Sequence, residues 1–186
     1  DEYGGPIENR IRYHCEVMQA VRDAVPDHPV GVRISQTKVN DFEYEWPGGD
    51  DDAKVVFSSL AKTGIDFLDC SAHLGLAPVF GTERSLSGLA REYSGLPVMA
   101  NGKLDEPGDA EAAIAKNEGD FVAIGKSALA DYNWPKKIAA NGDRVPFNPG
   151  MVMPYATLDC YEAFWEANPT GVPAEKVEAR DVTEGG

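Results

Sequence analysis

Residues 96–134 constrain the fold of this chain more than any other segment. They contain two short apolar runs, 97–100 and 121–124, separated by a helical pattern that begins at Pro107. Apolar runs of this length, bounded by helix-breaking residues, are typical of strands buried in a parallel sheet. Proline suits the first position of a helix, because no amide donor is needed there. The segment therefore predicts a strand, a helix and a second, parallel strand.

A glycine follows each of these two strands. At Gly102 and Gly125 the backbone can approach a ligand closely, and its amides can point at an anion. Consecutive loops of this kind, the second opening a short helix, bind phosphate in many (β/α)8 barrels. Lys126 is then a candidate phosphate partner, although a lone lysine is more often simply solvated. The run 125–127 also resembles the end of a P-loop, but position 120 holds Asp where that motif needs glycine, which argues against a nucleoside triphosphatase.

Strand and helix patterns alternate along most of the chain. The predicted strands are 30–35, 66–71, 97–101 and 120–125, and the predicted helices include 7–25, 50–63, 83–93 and 134–140. Strict alternation predicts an α/β fold with four parallel strands. A complete (β/α)8 barrel needs about 250 residues. A chain of 186 residues is therefore either a smaller α/β domain or part of a barrel.

The remaining segments carry weaker signals. We predict a half-barrel over 1–140 and an irregular tail over 141–186. The charged end of that tail, 172–186, is expected to be frayed. The polar and aromatic loop 36–49 is expected to contact substrate, because long βα loops carry such contacts in enzymes of this architecture.

Charge and cysteine content limit the class of protein. Acidic residues outnumber basic ones 31 to 17, for a formal charge of −14, and such a surface repels nucleic acid and anionic membranes. The three cysteines are far apart and odd in number, which suggests reduced thiols in a cytosol and not a framework of disulfides. No apolar run reaches the roughly 18 residues of a membrane span, and no secretory signal opens the chain. Because the histidines are scattered, no metal site is predicted. These features predict a cytoplasmic protein.

Five segments, in order and at matching spacing, resemble the C-terminal half of the Old Yellow Enzyme family of FMN oxidoreductases. They are DEYGGPIENRIRY, VGVRIS, DFLDCSAH, PVMANGKL and DFVAIGKSALADYNWPKKI, which together cover residues 1–138. The resemblance implies an α/β fold that is the C-terminal half, strands five to eight, of a (β/α)8 TIM barrel. It also implies that a missing N-terminal half-barrel supplies the residues under the flavin, the main substrate anchors and the proton donor. This chain alone is then part of an enzyme.

The resemblance also assigns cofactor-binding residues. It implies that Arg33 contacts the N1/O2 edge of the flavin ring of FMN. Gly102, Gly125 and Lys126 are expected to hold the FMN phosphate, and Asn101 is included among the cofactor-binding residues. The family usually has arginine where this chain has Lys126, so a two-pronged phosphate contact would become a point-charge contact.

From the residues alone, Arg33 has two interpretations. A guanidinium inside an apolar strand is expected to be buried and to need a partner, either a ligand or a structural carboxylate such as Asp69. His73 is a weaker candidate: its loop would reach substrate or nicotinamide, or it is an ordinary surface histidine. No catalytic residue is assigned.

The resemblance implies an oxidoreductase of the ene-reductase type, which takes hydride from NAD(P)H and reduces an activated alkene or a similar small-molecule acceptor. Two alternatives stay open: a non-catalytic half-barrel that binds a phosphate-bearing ligand, and a barrel enzyme that binds phosphate without flavin. A half-barrel leaves two strand edges and an apolar face open to water. We therefore expect the chain to self-associate or to bind its missing half.

Overall fold

The computed structural model describes residues 1–38 and 40–169. Contacts divide the chain into two compact units, Asp1–Ile124 and Gly125–Gly186. The elements of the first unit are α1 (Ile7–Ala24), β1 (Gly31–Ser35), α2 (Gly49–Ala61), β2 (Phe67–Ser71), α3 (Leu86–Ser94), β3 (Val98–Asn101), α4 (Pro107–Ala115) and β4 (Phe121–Ala123). Those of the second are α5 (Lys126–Ala130), α6 (Trp134–Ala139), a 3-10 helix (Pro149–Val152) and α7 (Leu158–Ala167).

The four strands form one parallel sheet in the order β1-β2-β3-β4. Each predicted strand is present, shortened by one residue at its start, and β4 also ends two residues earlier than predicted. Helices connect successive strands, which is the arrangement that parallel pairing requires. The prediction of a partial (β/α)8 barrel with parallel strands alternating with helices is confirmed.

The core of the first unit lies between one face of this sheet and its helices. Leu68 and Val98 from the strands are fully buried against Phe57 and Leu60 of α2. Burying a side chain of this kind contributes about 1.5–3 kcal/mol. Because side chains alternate along a strand, the residues between these positions face the other side of the sheet.

The boundaries of α3 follow from local capping. The Ser85 side chain accepts a hydrogen bond from the Gly88 amide at 3.1 Å, and Gly95 ends the helix with a φ of 68°. A serine cap and a left-handed glycine are the preferred residues at these two positions. The helix therefore begins three residues later than the predicted 83–93.

Asp66 joins the start of β1 to α1. Its carboxylate accepts a hydrogen bond from the Val30 amide at 2.7 Å and pairs with the Arg22 guanidinium. The amide of Val30 first, and then Arg22, lower the pKa of the Asp66 carboxyl below its ordinary value. The charged form of Asp66 is therefore the form that the fold favours.

The second unit departs from the sequence prediction. Helix α7 lies within the segment 141–186, which is predicted to be irregular. Thr157 caps it by accepting a hydrogen bond from the Cys160 amide at 3.3 Å, and Tyr161, Phe164 and Trp165 follow at helical spacing. The prolines before this run obscure its period in the sequence. The predicted frayed end, 172–186, lies outside the described residues, and the division at residue 140 stays a prediction.

Candidate functional site

Polar side chains gather on the sheet face opposite the core, toward the carboxyl ends of the strands. The strand pairing sets Arg33 beside Asp69 in one row, which continues through Met99 to Phe121. The next row toward the carboxyl ends is Ser35, Ser71, Asn101 and Ala123. In parallel α/β proteins, ligands bind at this end of the strands. This face is therefore the candidate site of the first unit.

Arg33 forms an ion pair across the first two strands. Its Nε donates a hydrogen bond to Asp69 Oδ2 at 2.8 Å, and its Nη2 lies 2.7 Å from the same oxygen. Asp69 Oδ1 is buried and has no hydrogen-bond partner within the described part of the chain. This ion pair corresponds to one of the two interpretations of Arg33, in which the arginine pairs with a structural carboxylate. It uses only some of the five N–H donors of the guanidinium.

The prediction that Arg33 is buried is wrong. Its side chain is 59% exposed, whereas that of Asp69 is only 14% exposed. The strand is apolar in sequence because Val32 and Ile34 pack on the core side, while Arg33 faces the other way. A carboxylate thus binds the guanidinium through Nε and Nη2, and the side chain is otherwise largely exposed.

Asn101 links three strands at their carboxyl ends. Its side-chain nitrogen donates to the Ala123 carbonyl oxygen at 3.0 Å, and its side-chain oxygen accepts from Ser71 Oγ at 3.2 Å. These bonds fix the point at which β3 enters its loop. A direct contact of Asn101 with cofactor stays a prediction.

Gly102 occupies a position that only glycine fits. Its φ is 135°, and a Cβ there would lie 2.3 Å from the Ala72 carbonyl oxygen and 2.7 Å from the Gly75 nitrogen. The Gly102 carbonyl accepts a hydrogen bond from the Gly75 amide at 2.8 Å, and the Asn101 carbonyl accepts one from the Ala72 amide at 3.1 Å. The glycine therefore lets the loop after β2 lie directly on the end of β3.

Gly125 and Lys126 belong to the second unit. Gly125 directly precedes α5, and Lys126 is its first residue. The Lys126 side chain is exposed, and its Nζ lies 6.0 Å from the centroid of the Phe147 ring. This distance is at the outer limit of a cation–π contact. Their common role with Gly102 at a phosphate stays a prediction.

His73 lies beside an aromatic residue that the sequence does not single out. The rings of His73 and Phe42 are 4.4 Å apart at an interplanar angle of 41°, and Phe42 is exposed. Both line a cavity of about 200 Å³ with Tyr44, whose ring carries Lys38 Nζ at 3.8 Å from its centroid. The aromatic character of the loop 36–49 is the signal that could have identified Phe42.

Two further side chains of the first unit, those of Trp46 and Cys70, pack against or within its core. The Trp46 ring stacks on Phe80 at 5.5 Å, and both pack against the core. Cys70 is buried, which raises the pKa of its thiol far above the ordinary value and keeps it protonated. Among residues 1–38 and 40–169, no group of three metal-ligating side chains is assembled. In the same residues, no helix has the length and apolar character needed to cross a membrane.

The parallel sheet, its connecting helices and the polar rows at the carboxyl ends define a partial (β/α)8 barrel with its candidate site on the usual face. The model of the NADH:flavin oxidoreductase / NADH oxidase family matches residues 1–144. The chain belongs to this family, and the predicted resemblance to Old Yellow Enzymes is confirmed.

Similar proteins of known activity are longer than this chain. An NADH oxidase of Thermoanaerobacter brockii is 32% identical over an alignment of 149 residues, gaps included, that covers 74% of this chain and 22% of that protein. A bilirubin reductase of Clostridium symbiosum is 30% identical over an alignment of 165 residues, gaps included, that covers 79% of this chain and 43% of that protein. The chain thus spans less than half the length of these relatives.

Solved structures share the fold. An Old Yellow Enzyme homologue from Zymomonas mobilis aligns with 87% of this chain and 45% of its own, with a TM-score of 0.69 and 22% identity. Morphinone reductase, solved in complex with tetrahydroNAD, aligns with 80% of this chain and 39% of its own, with a TM-score of 0.67 and 23% identity.

Proposed function

We propose that this chain is the part of an FMN-dependent oxidoreductase that binds the flavin, in an enzyme of the ene-reductase type. The enzyme would take hydride from NAD(P)H and pass it to an activated alkene or a similar acceptor. The observation that carries the proposal is the Arg33 guanidinium, which pairs with Asp69 and is otherwise exposed, on the candidate face of the sheet. Membership of the flavin oxidoreductase family supports it.

The residues of this face fit one edge of a flavin. When bound, FMN would supply the hydride chemistry, and this half of the protein would supply orientation and charge. Arg33 would hold a permanent positive charge beside the N1/O2 edge, where negative charge develops on reduction. Arginine suits this role because it stays charged and presents a rigid fork of donors.

We propose Gly102, Gly125 and Lys126 as partners of the FMN phosphate. Gly102 lies where the chain leaves the carboxyl end of β3, so its main-chain atoms are at the end of the sheet where ligands bind in such folds. Lys126 would contribute a point charge in place of a two-pronged arginine contact. Asn101, which orders the same loop, would act on the phosphate site through Gly102 or touch the cofactor directly.

The cavity beside His73 is the proposed contact with acceptor or nicotinamide. Phe42 and Tyr44 contribute aromatic rings to its lining, and His73 supplies a polar group next to Phe42. Small-molecule sites commonly combine apolar walls with a few polar groups. Phe42 is therefore added to the residues that the sequence assigned to substrate.

The proposed partners are the other half of the barrel and further copies of this chain. We propose that an N-terminal half-barrel completes the sheet, and that the isolated chain self-associates where this half is absent. The exposed Phe121 on the edge strand β4 supports this, because apolar side chains on an open strand edge favour association. The acidic surface, at a net charge of −14, argues against nucleic acid as a partner.

The test uses the full-length gene product, purified and scanned for flavin absorbance. We expect bound FMN, oxidation of NADH or NADPH, and reduction of an α,β-unsaturated carbonyl compound. Flavin that NAD(P)H does not reduce would instead favour the non-catalytic binding module. Phosphate-ligand binding without any flavin would favour a barrel enzyme of another kind and contradict the proposal.

The Arg33→Met variant connects this activity to the site. We expect weaker FMN binding in this variant, because a charged hydrogen-bond donor is lost. The matched control is Arg91→Met, which removes another partly exposed arginine, paired with Asp120 at 3.1 Å. Equal FMN affinity in both variants would remove Arg33 from the site.

A further inference from the structure

We propose that Asp69 is a positioning residue that fixes the Arg33 guanidinium for the flavin and moderates its charge. The inference rests on the proposed FMN site. It assigns a role to a side chain that would not touch the cofactor but would act through one that does.

Asp69 is itself held rigidly. It lies in the central strand β2, which pairs with β1 on one side and β3 on the other, directly opposite Arg33 and Met99. Its carboxylate is mostly buried, and its neighbour Cys70 is packed in the core. A carboxylate on such a backbone has little freedom, whereas an exposed arginine side chain has many rotamers.

The contact orients the guanidinium as well as anchoring it. Both Nε and Nη2 of Arg33 approach the same oxygen, Asp69 Oδ2, so the carboxylate binds the guanidinium along its Nε–Nη2 edge. The outer edge, formed by Nη1 and Nη2, keeps N–H donors for a second acceptor. Groups that are fixed before a ligand arrives bind it more tightly, because no rotamer freedom is lost on binding.

The carboxylate also offsets part of the arginine charge. Asp69 Oδ1 is buried without a hydrogen-bond partner in the described residues. No other donor at this oxygen therefore offsets the negative charge of the carboxylate. A negative charge beside Arg33 weakens the stabilisation that the arginine gives to a reduced flavin. Removing this charge while keeping the hydrogen bond should therefore raise the flavin reduction potential.

Two substitutions separate the two effects in the full-length protein. Asp69→Ala removes the anchor, and we expect FMN affinity, measured by quenching of flavin fluorescence, to fall roughly tenfold. Asp69→Asn keeps an acceptor oxygen and removes the charge. We expect this variant to retain FMN affinity within about threefold and to raise the reduction potential of the bound flavin.

The Arg33→Met background shows whether Asp69 acts through Arg33. There, Asp69→Ala should cause no further loss of FMN affinity, because the residue it positions is absent. An equal loss in both backgrounds would mean a purely structural role and would overturn the inference. So would an Asp69→Ala variant that binds FMN as tightly as the wild type.

The same measurements separate this inference from the proposed function. If the wild-type protein binds no FMN, both fail. If it binds FMN through Arg33 but substitutions at Asp69 change neither FMN affinity nor the flavin potential, only the inference fails. Should Asp69→Ala not fold, the near-isosteric Asp69→Asn decides: an unchanged flavin potential in that variant overturns the inference.

Discussion

Replacing Gly102 by alanine should strongly destabilise the first unit. The new Cβ would lie 2.3 Å from the Ala72 carbonyl oxygen, well inside the 3.0 Å below which such contacts are essentially never found. The obstructing atoms belong to the backbone of the loop after β2, so no side chain can turn away. The φ of 135° adds a second cost, because residues with a Cβ rarely adopt it.

The two free-energy costs can be summed to give the order of magnitude of the destabilisation. Forcing a backbone shift in a packed region costs about 1–3 kcal/mol, and holding a non-glycine residue in an unfavourable backbone conformation costs about 1–3 kcal/mol. We therefore expect Gly102→Ala to lower the free energy of unfolding by about 2–6 kcal/mol. In urea this corresponds to a midpoint lower by about 1 M or more.

The assay is urea unfolding followed by circular dichroism, with Gly108→Ala as the matched control. Gly108 lies in α4, and a Cβ there would meet nothing within 4 Å. Since alanine favours helix over glycine by up to about 1 kcal/mol, the control should be as stable as the wild type or slightly more stable. A Gly102→Ala protein that unfolds at the wild-type midpoint would refute the close approach of the two loops.

Three further outcomes are expected. Lys126→Glu should weaken FMN binding to the full-length protein by about 2–3 kcal/mol in titrations. The control Lys136→Glu, on the exposed side of α6, should leave FMN binding unchanged. Equal effects of the two substitutions would remove Lys126 from the phosphate site. Because the pKa of Asp66 is lowered in the fold, its contribution to stability is present above the ordinary aspartate pKa of about 3.9 and is lost as the pH falls through the lower folded value. Unfolding curves between neutral and acidic pH should show a larger loss of stability in the wild type than in Asp66→Asn. Phe42→Ala should raise KM for acceptor or NAD(P)H and leave FMN affinity unchanged, and unaltered kinetics would exclude the cavity beside His73 from the site.

The alternation of strands and helices could be predicted because its signals are local. Apolar runs, Pro107 at the start of α4 and Gly95 at the end of α3 each act on their own segment. Helix α7 was obscured because its aromatic residues follow a proline-containing stretch, and its Thr157 cap is visible only once the helix start is known. Boundaries depended on such caps more than on the apolar period.

For the candidate site, the sequence proposes residues but does not reveal the surroundings of their side chains. Gly102 was expected to admit a ligand, and the structure shows that its lack of a side chain already admits the backbone at Ala72. Arg33 was expected to be buried, because an apolar strand in sequence does not reveal whether one or both of its faces are covered. The sequence offers Asp69 as one possible partner of Arg33 but does not decide for it, because the ion pair depends on a strand register that joins residues 36 positions apart.

The reduction potential of the bound flavin tests the central claim most directly. We predict that Arg33→Met lowers this potential in the full-length protein, because a positive charge next to the reduced ring is removed. A loss of about 1.4 kcal/mol corresponds to about 30 mV for a two-electron couple, so a decrease of at least this size is expected, while Arg91→Met leaves the potential unchanged. A wild-type flavin potential in Arg33→Met, with stability alone reduced, would contradict the account and leave Arg33 as a structural partner of Asp69.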